Sequence, residues 1–134
     1  MLREVKATTR AQRALIAEFR DGQQIGLASE AGANEKPIPV SNLAVSIKEP
    51  GYSELYAAHL AGNCWYAEPE DLLRGSALRI GIEDVEATLF VSCPVGEPLR
   101  GALSVSFDYA VESPQEKAEI LRELTPQFEP LLAP

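Results

Sequence analysis

One histidine, one tryptophan and one methionine are all that 134 residues hold of these types, and only two cysteines accompany them. A serine-histidine-acid triad or a histidine-based metal centre would have to draw on His59, and no Gly-x-Ser-x-Gly nucleophile elbow stands in the chain. Cys64 and Cys93 are too few for a disulfide scaffold and lack the spacing of a zinc site. They read as two small buried hydrophobes. Basic residues are scarce too, with 12 Lys and Arg against 20 Asp and Glu and a formal charge of -8. Phosphate binding draws on clustered cations and none cluster here, which argues against a nucleic-acid partner. No apolar run reaches the roughly 18 residues of a membrane span, so no membrane contact by this chain itself is expected. No charged segment leading into an apolar one opens the chain as an export signal does. Two compartments stay open: cytoplasmic if the chain is complete as it stands, periplasmic if it is cut from a membrane-anchored parent.

What is present suits one core. At 46% hydrophobic, a chain of this length reads as a single domain over 1–134. Residues 2–12 form an opening helix with Leu2, Val5 and Thr9 near one face. RALIAEFRDG at 13–22 reads as a strand ending in an Asp-Gly turn. Residues 23–39 lack regular periodicity, and Gly26, Gly32, Asn34, Pro37 and Pro39 mark a loop with a short strand at 25–29. VSNLAVSIK at 40–48 alternates as a half-buried strand, closed by Pro50-Gly51. A short helix follows, with Ser53 as its N-cap, Leu55, Ala58 and His59 turned inward, and Gly62 as its stop. NCWYAEP at 63–69 reads as a short strand. Beyond Pro69, glycines limit the chain to one or two helical turns and a loop.

The clearest pattern lies in the last third. LFVSCPVGEPLRGALSVSFDYA at 89–110 is a hairpin, whose first strand puts Cys93 on one face with Leu89 and Val91. Its second strand alternates Leu103, Val105, Phe107 and Tyr109 with Ala102, Ser104, Ser106 and Asp108, as an antiparallel strand with one packed face does. SPQEKAEILRELTPQFEPLLA at 113–133 is the best helix, with Ser113 as cap, Pro114 at its first position and Glu116 completing a capping box. Ile120, Leu121, Leu124 and Phe128 form its apolar stripe, and Pro126 kinks or ends it. Leu131 and Leu132 then read as a loose tail or a small docking patch. The acids Glu68, Glu70, Asp71, Glu83, Asp84 and Glu86 read as solvated or as serving helix starts. The sum is an α+β chain: a central antiparallel sheet of about five strands, with the N- and C-terminal helices packed on one face.

These residues carry a resemblance. RALIAEFRDG behind an amphipathic helix and ATLFVSCPVGEPLRGALSVSFD before a terminal one resemble the first and the last two strands of a GAF domain. Two details match: the apolar-x-x-Pro step Val91-Ser92-Cys93-Pro94 ends the penultimate strand, and Gly101-Ala102-Leu103 opens the last. RALIAEFRDG, the strand near Leu43 and the Gly51-Tyr52 step further resemble a branch of GAF-like domains from bacteriophage accessory proteins, often placed behind a membrane anchor.

The resemblance implies a GAF/PAS-like fold and a non-enzymatic sensory or regulatory role, with a small molecule held between sheet and helices or a protein partner engaged. A homodimer through the terminal helices, as a purely structural dimerisation domain, is the alternative of another class. No cofactor follows: the chain lacks an Asn-Lys-Phe-Asp-Glu-like cyclic-nucleotide signature, and His59 has no neighbouring cysteine for a bilin or haem role. The candidate pocket residues are Tyr52, Tyr56, His59, Trp65 and Tyr66, whose rings offer stacking area and a polar tip, with Cys93 beside them. Filling the core or its rim is the plainer role for the same side chains. A thiol-dependent reductase of the free methionine sulfoxide type would use Cys64 and Cys93, although that group relies on further cysteines absent here.

Overall fold

The computed structural model describes residues 1–35 and 44–132. Helix α1 (Leu2–Thr9) leads through Arg10, in the left-handed region at φ 63°, into strand β1 (Arg13–Arg20). Asp21 and Gly22, both at positive φ, form the two-residue turn whose twist suits a hairpin, and β2 (Gln23–Ala31) returns along β1. Strand β2 is far longer than the short segment expected. It carries a bulge: Ile16 pairs with Ala28 but Ala17 with Gly26, leaving Leu27 as the extra residue. One inserted residue flips the alternation midway along the strand, which is why the segment shows no period in the sequence.

The half-buried strand expected at 40–48 appears as β3 (Val45–Ser46), paired to the start of β2, and positions 40–43 of that expectation lie outside the described residues. Helix α2 (Tyr52–Leu60) begins one residue before Ser53: Gly51 is the cap, and its N–H donates to the Glu54 carboxylate at 2.8 Å. Next come β4 (Trp65–Ala67), a 3-10 turn at Pro69–Asp71, and α3 (Ala77–Asp84), capped by Ser76, which runs through Gly81. The hairpin is β5 (Leu89–Val95) and β6 (Gly101–Phe107). Helix α4 (Pro114–Leu124) starts on the Ser113 cap, whose hydroxyl accepts from Glu116 N at 3.2 Å, and gives way at Pro126 to a 3-10 segment, Thr125–Leu131.

Among the described residues, six strands form one antiparallel sheet in the order β3-β2-β1-β6-β5-β4. The terminal helices share one face, as expected. There Val5 of α1 and Ala118 and Leu121 of α4 pack on Val91, Leu103 and Phe107. Leu132 joins this core rather than trailing, while Leu131 is exposed. The reading that β6 has one packed face is corrected: Ala102, Ser104 and Ser106 are as buried as Leu103 and Val105, because α2 and α3 cover the second face of the sheet. Small side chains on that face leave room for the second helical layer. Gly101 sits at the tightest approach, where a Cβ would collide with the carbonyl oxygen of Ala17.

The cysteines correct a second expectation. Cys64 and Cys93 are bonded to each other rather than being two separate hydrophobes. Trp65 pairs with Ser92 across β4 and β5, so the preceding residue, Cys64, falls opposite Cys93, with Cα atoms 4.2 Å apart.

Candidate functional site

Between the sheet and its α2–α3 cover lies a cavity of about 50 Å³. Its floor is Leu15, Phe90, Gln24 and Ser106, and its roof is Tyr52, Leu78, Ile82 and Val85. Gly81 of α3, which is exposed, also lines it. The roof residues follow from helical spacing: Leu78 and Ile82 stand one turn apart on the inward face of α3, and Tyr52 occupies the first turn of α2. The Tyr52 hydroxyl is pushed up to about 12 by burial, so it stays neutral.

Two polar atoms set this cavity apart from ordinary core. The Gln24 side-chain oxygen and the Ser106 hydroxyl are buried and find no hydrogen-bond partner among the described residues. Folded proteins rarely leave such groups orphaned, since each costs about 1–3 kcal/mol. Both belong to the wall of the same apolar space. Charge is kept away from it. Arg13, paired with Ser106 in the sheet register, turns its guanidinium to Asp108 at 2.6 Å and Glu35 at 3.6 Å. The Glu35 carboxyl is held above its ordinary range, chiefly by sharing a hydrogen bond with Asp108.

A second polar arrangement crosses the same sheet face. His59 Nδ1 lies 2.8 Å from the carbonyl oxygen of Asn63, and a carbonyl can only accept, so the ring proton sits on Nδ1. Nε2 is then the acceptor for the Ser92 hydroxyl at 2.8 Å, and Ser104 donates to Ser92 at 2.9 Å. Burial drives the His59 pKa down to about 4, against a smaller opposing effect of the Asn63 hydrogen bond. A neutral imidazole satisfied at both nitrogens, beside a serine that is wholly buried, is a structural clasp.

The six candidate pocket residues are spread over three environments. Tyr52 lines the cavity. Tyr56 meets the Phe19 ring edge-on at 5.0 Å, His59 anchors the serine chain, and Trp65 packs edge-on against Phe90 at 6.3 Å. Tyr66 and Cys93 lie on the far side of the sheet, because Tyr66 pairs with Val91 and the strand period of two sends both toward α4. Gln24, Ser106, Leu78 and Ile82 were not singled out by sequence. The readable signal was in β6: Ala102, Ser104 and Ser106 are all small, whereas a solvated strand face ordinarily carries long charged side chains.

Comparison with known proteins places this geometry. No protein-family model matches the sequence, and no curated protein matches it. Solved structures do match. The red-absorbing state of a red/green cyanobacteriochrome superposes with a TM-score of 0.74 at 15% identity, over 97% of this chain and 87% of the other. The GAF domain of a two-component sensor histidine kinase from Bacillus halodurans gives 0.68 at 8% identity, over 96% and 91%. The phycoerythrobilin-bound GAF domain of a cyanobacterial phytochrome gives 0.69 at 13% identity, over 92% and 76%. The chain has the GAF fold.

Proposed function

We propose that this GAF-fold chain is a non-enzymatic sensory or regulatory module that takes a small, uncharged ligand into the cavity beneath α2 and α3. The observation that carries the reading is the pair of buried polar atoms without a partner among the described residues, Gln24 Oε1 and Ser106 Oγ, borne by two residues that line one apolar space. They ask for a ligand with a hydrogen-bond donor on an apolar body. Several GAF-fold neighbours are photoreceptors, and one of them holds phycoerythrobilin. A linear tetrapyrrole far exceeds about 50 Å³, and both cysteines sit across the sheet from the cavity, away from any tether to it. The ligand is therefore smaller than a bilin. The same placement counts against the reductase alternative, which needs its thiols at the ligand. The bacteriophage-accessory reading rests on RALIAEFRDG, the strand near Leu43 and Gly51-Tyr52. The Cys64–Cys93 bond favours an oxidising compartment over the cytoplasm.

Native mass spectrometry of the purified protein beside its Gly81→Phe variant tests the reading. A Cβ at Gly81 meets nothing within 4 Å, so the substitution adds a ring at a residue that lines the cavity without a clash at its Cβ. A small species that leaves the wild type on denaturation and is missing from the variant is expected. A species retained equally by the folded variant would place binding elsewhere and overturn the proposal.

A further inference from the structure

The disulfide lies outside the ligand cavity and is built asymmetrically. Cys93 is fully buried in the core between the sheet and the terminal helices, whereas Cys64 is only partly buried. Cys64 forms part of a polar groove of about 270 Å³, walled by Asn63, Tyr66, Gln115, Glu119 and Arg122. The strand that carries it toward the sheet, β4, has three residues and is the sheet's edge. One side of the bond therefore borders a surface groove and the other is sealed.

A third group bears on the same bond. The carbonyl oxygen of Ala118, on α4, stands 3.8 Å from Cys64 Sγ and 3.4 Å from Cys93 Sγ. Disulfide sulfurs carry no hydrogen and gain nothing from an acceptor. A thiol does: an S–H at Cys93 would find a ready acceptor in a place with no water. The reduced form of the buried cysteine is thus already accommodated. Arg122 sets a cation in the groove beside the Glu119 carboxylate, so an arriving thiolate meets no net negative charge from the groove's own walls.

We infer that Cys64 is a thiol–disulfide exchange and S-thiolation site for a small-molecule thiol, with Cys93 as its sealed partner, independent of the ligand cavity. The thiol RSH attacks Cys64 Sγ as its thiolate. A bond forms between R–S and Cys64, the Cys64–Cys93 bond breaks, and its electron pair goes to Cys93 Sγ. Cys93 takes up the proton the attacking thiol gave away and donates it to Ala118 O. A second RSH removes R as RSSR and leaves Cys64 as a thiol. In sum two RSH are oxidised to RSSR and the protein disulfide is reduced to two thiols.

Glutathione is a suitable probe. The native wild type is incubated with reduced glutathione, quenched in acid and mapped by peptide mass, and the mixed disulfide is expected on Cys64 and absent from Cys93. In parallel, oxidised glutathione is added to Cys93→Ser and Cys64→Ser. Cys64 in the first variant should be thiolated roughly ten-fold or more faster than Cys93 in the second, following thiolate access. Comparable rates, an adduct on Cys93, or a disulfide that yields only in unfolding denaturant would overturn the inference. The wild-type mapping decides the matter even if a variant fails to fold.

Discussion

Acid should loosen this fold through His59 in a way that can be separated from every other titration. Its folded pKa of about 4 lies below the ordinary 6.5, the largest cause being burial. The sign follows directly. Above about pH 6.5 the ring is neutral in both folded and unfolded chains; below it the unfolded chain takes up a proton that the folded one refuses, so stability falls as pH drops toward 4. A gap of about two and a half pH units, at about 1.4 kcal/mol per unit, sets a ceiling between about 3 and 4 kcal/mol, of which about 3 kcal/mol is lost by pH 4. The hydrogen bonds say why the folded chain refuses. A proton on Nε2 would turn it from acceptor to donor, and the fully buried Ser92 hydroxyl that donates to it would lose its acceptor. Urea unfolding of the oxidised protein and of His59→Gln, measured from about pH 7 to about pH 4, isolates the effect. Carboxylates titrate equally in both. The wild type should lose about 3 kcal/mol more than the variant across that window, and two curves falling in parallel would refute the assignment.

Other perturbations have equally definite outcomes. Gly101→Ala should cost about 2 kcal/mol or more in thermal denaturation, because its Cβ meets Ala17 backbone and the buried Leu132 side chain. Ser113→Ala removes the cap that accepts from Glu116 N and should cost about 1 kcal/mol, read by denaturant midpoint. Asp108→Ala strips the near-buried Arg13 of its 2.6 Å partner while leaving Glu35 at 3.6 Å, and a loss of about 2 kcal/mol in urea unfolding is expected.

Much of the architecture was legible because its signals are local. Ser113-Pro114 with Glu116 marks a helix start by side-chain chemistry, and Asp21-Gly22 marks a hairpin by the positive φ it tolerates. What escaped reading depends on distant chain. The bulge at Leu27 erased the alternation of β2, so a nine-residue strand with eight residues paired to β1 read as a loop with a short strand at 25–29. The serines of β6 looked solvated because nothing in the strand announces a second helical layer. The cysteine pairing joins positions 29 apart and becomes visible once β4 is in register with β5. The site suffered most: an orphaned hydroxyl is a property of the packed molecule, and Ser106 looks the same in sequence as the satisfied Ser104.

The central claim is that Gln24 and Ser106 receive a donor-bearing ligand in the cavity between the sheet and α2–α3. Nuclear magnetic resonance titration with methanol and with fluoromethane, molecules of similar size with and without an O–H and small enough for about 50 Å³, tests it most directly. Methanol should shift the Gln24 side-chain amide and the Ser106 and Ile82 backbone signals saturably, and fluoromethane should bind roughly ten-fold more weakly, the value of one hydrogen bond. Equal affinity for the two, or shifts confined to residues away from this cavity, would contradict the account.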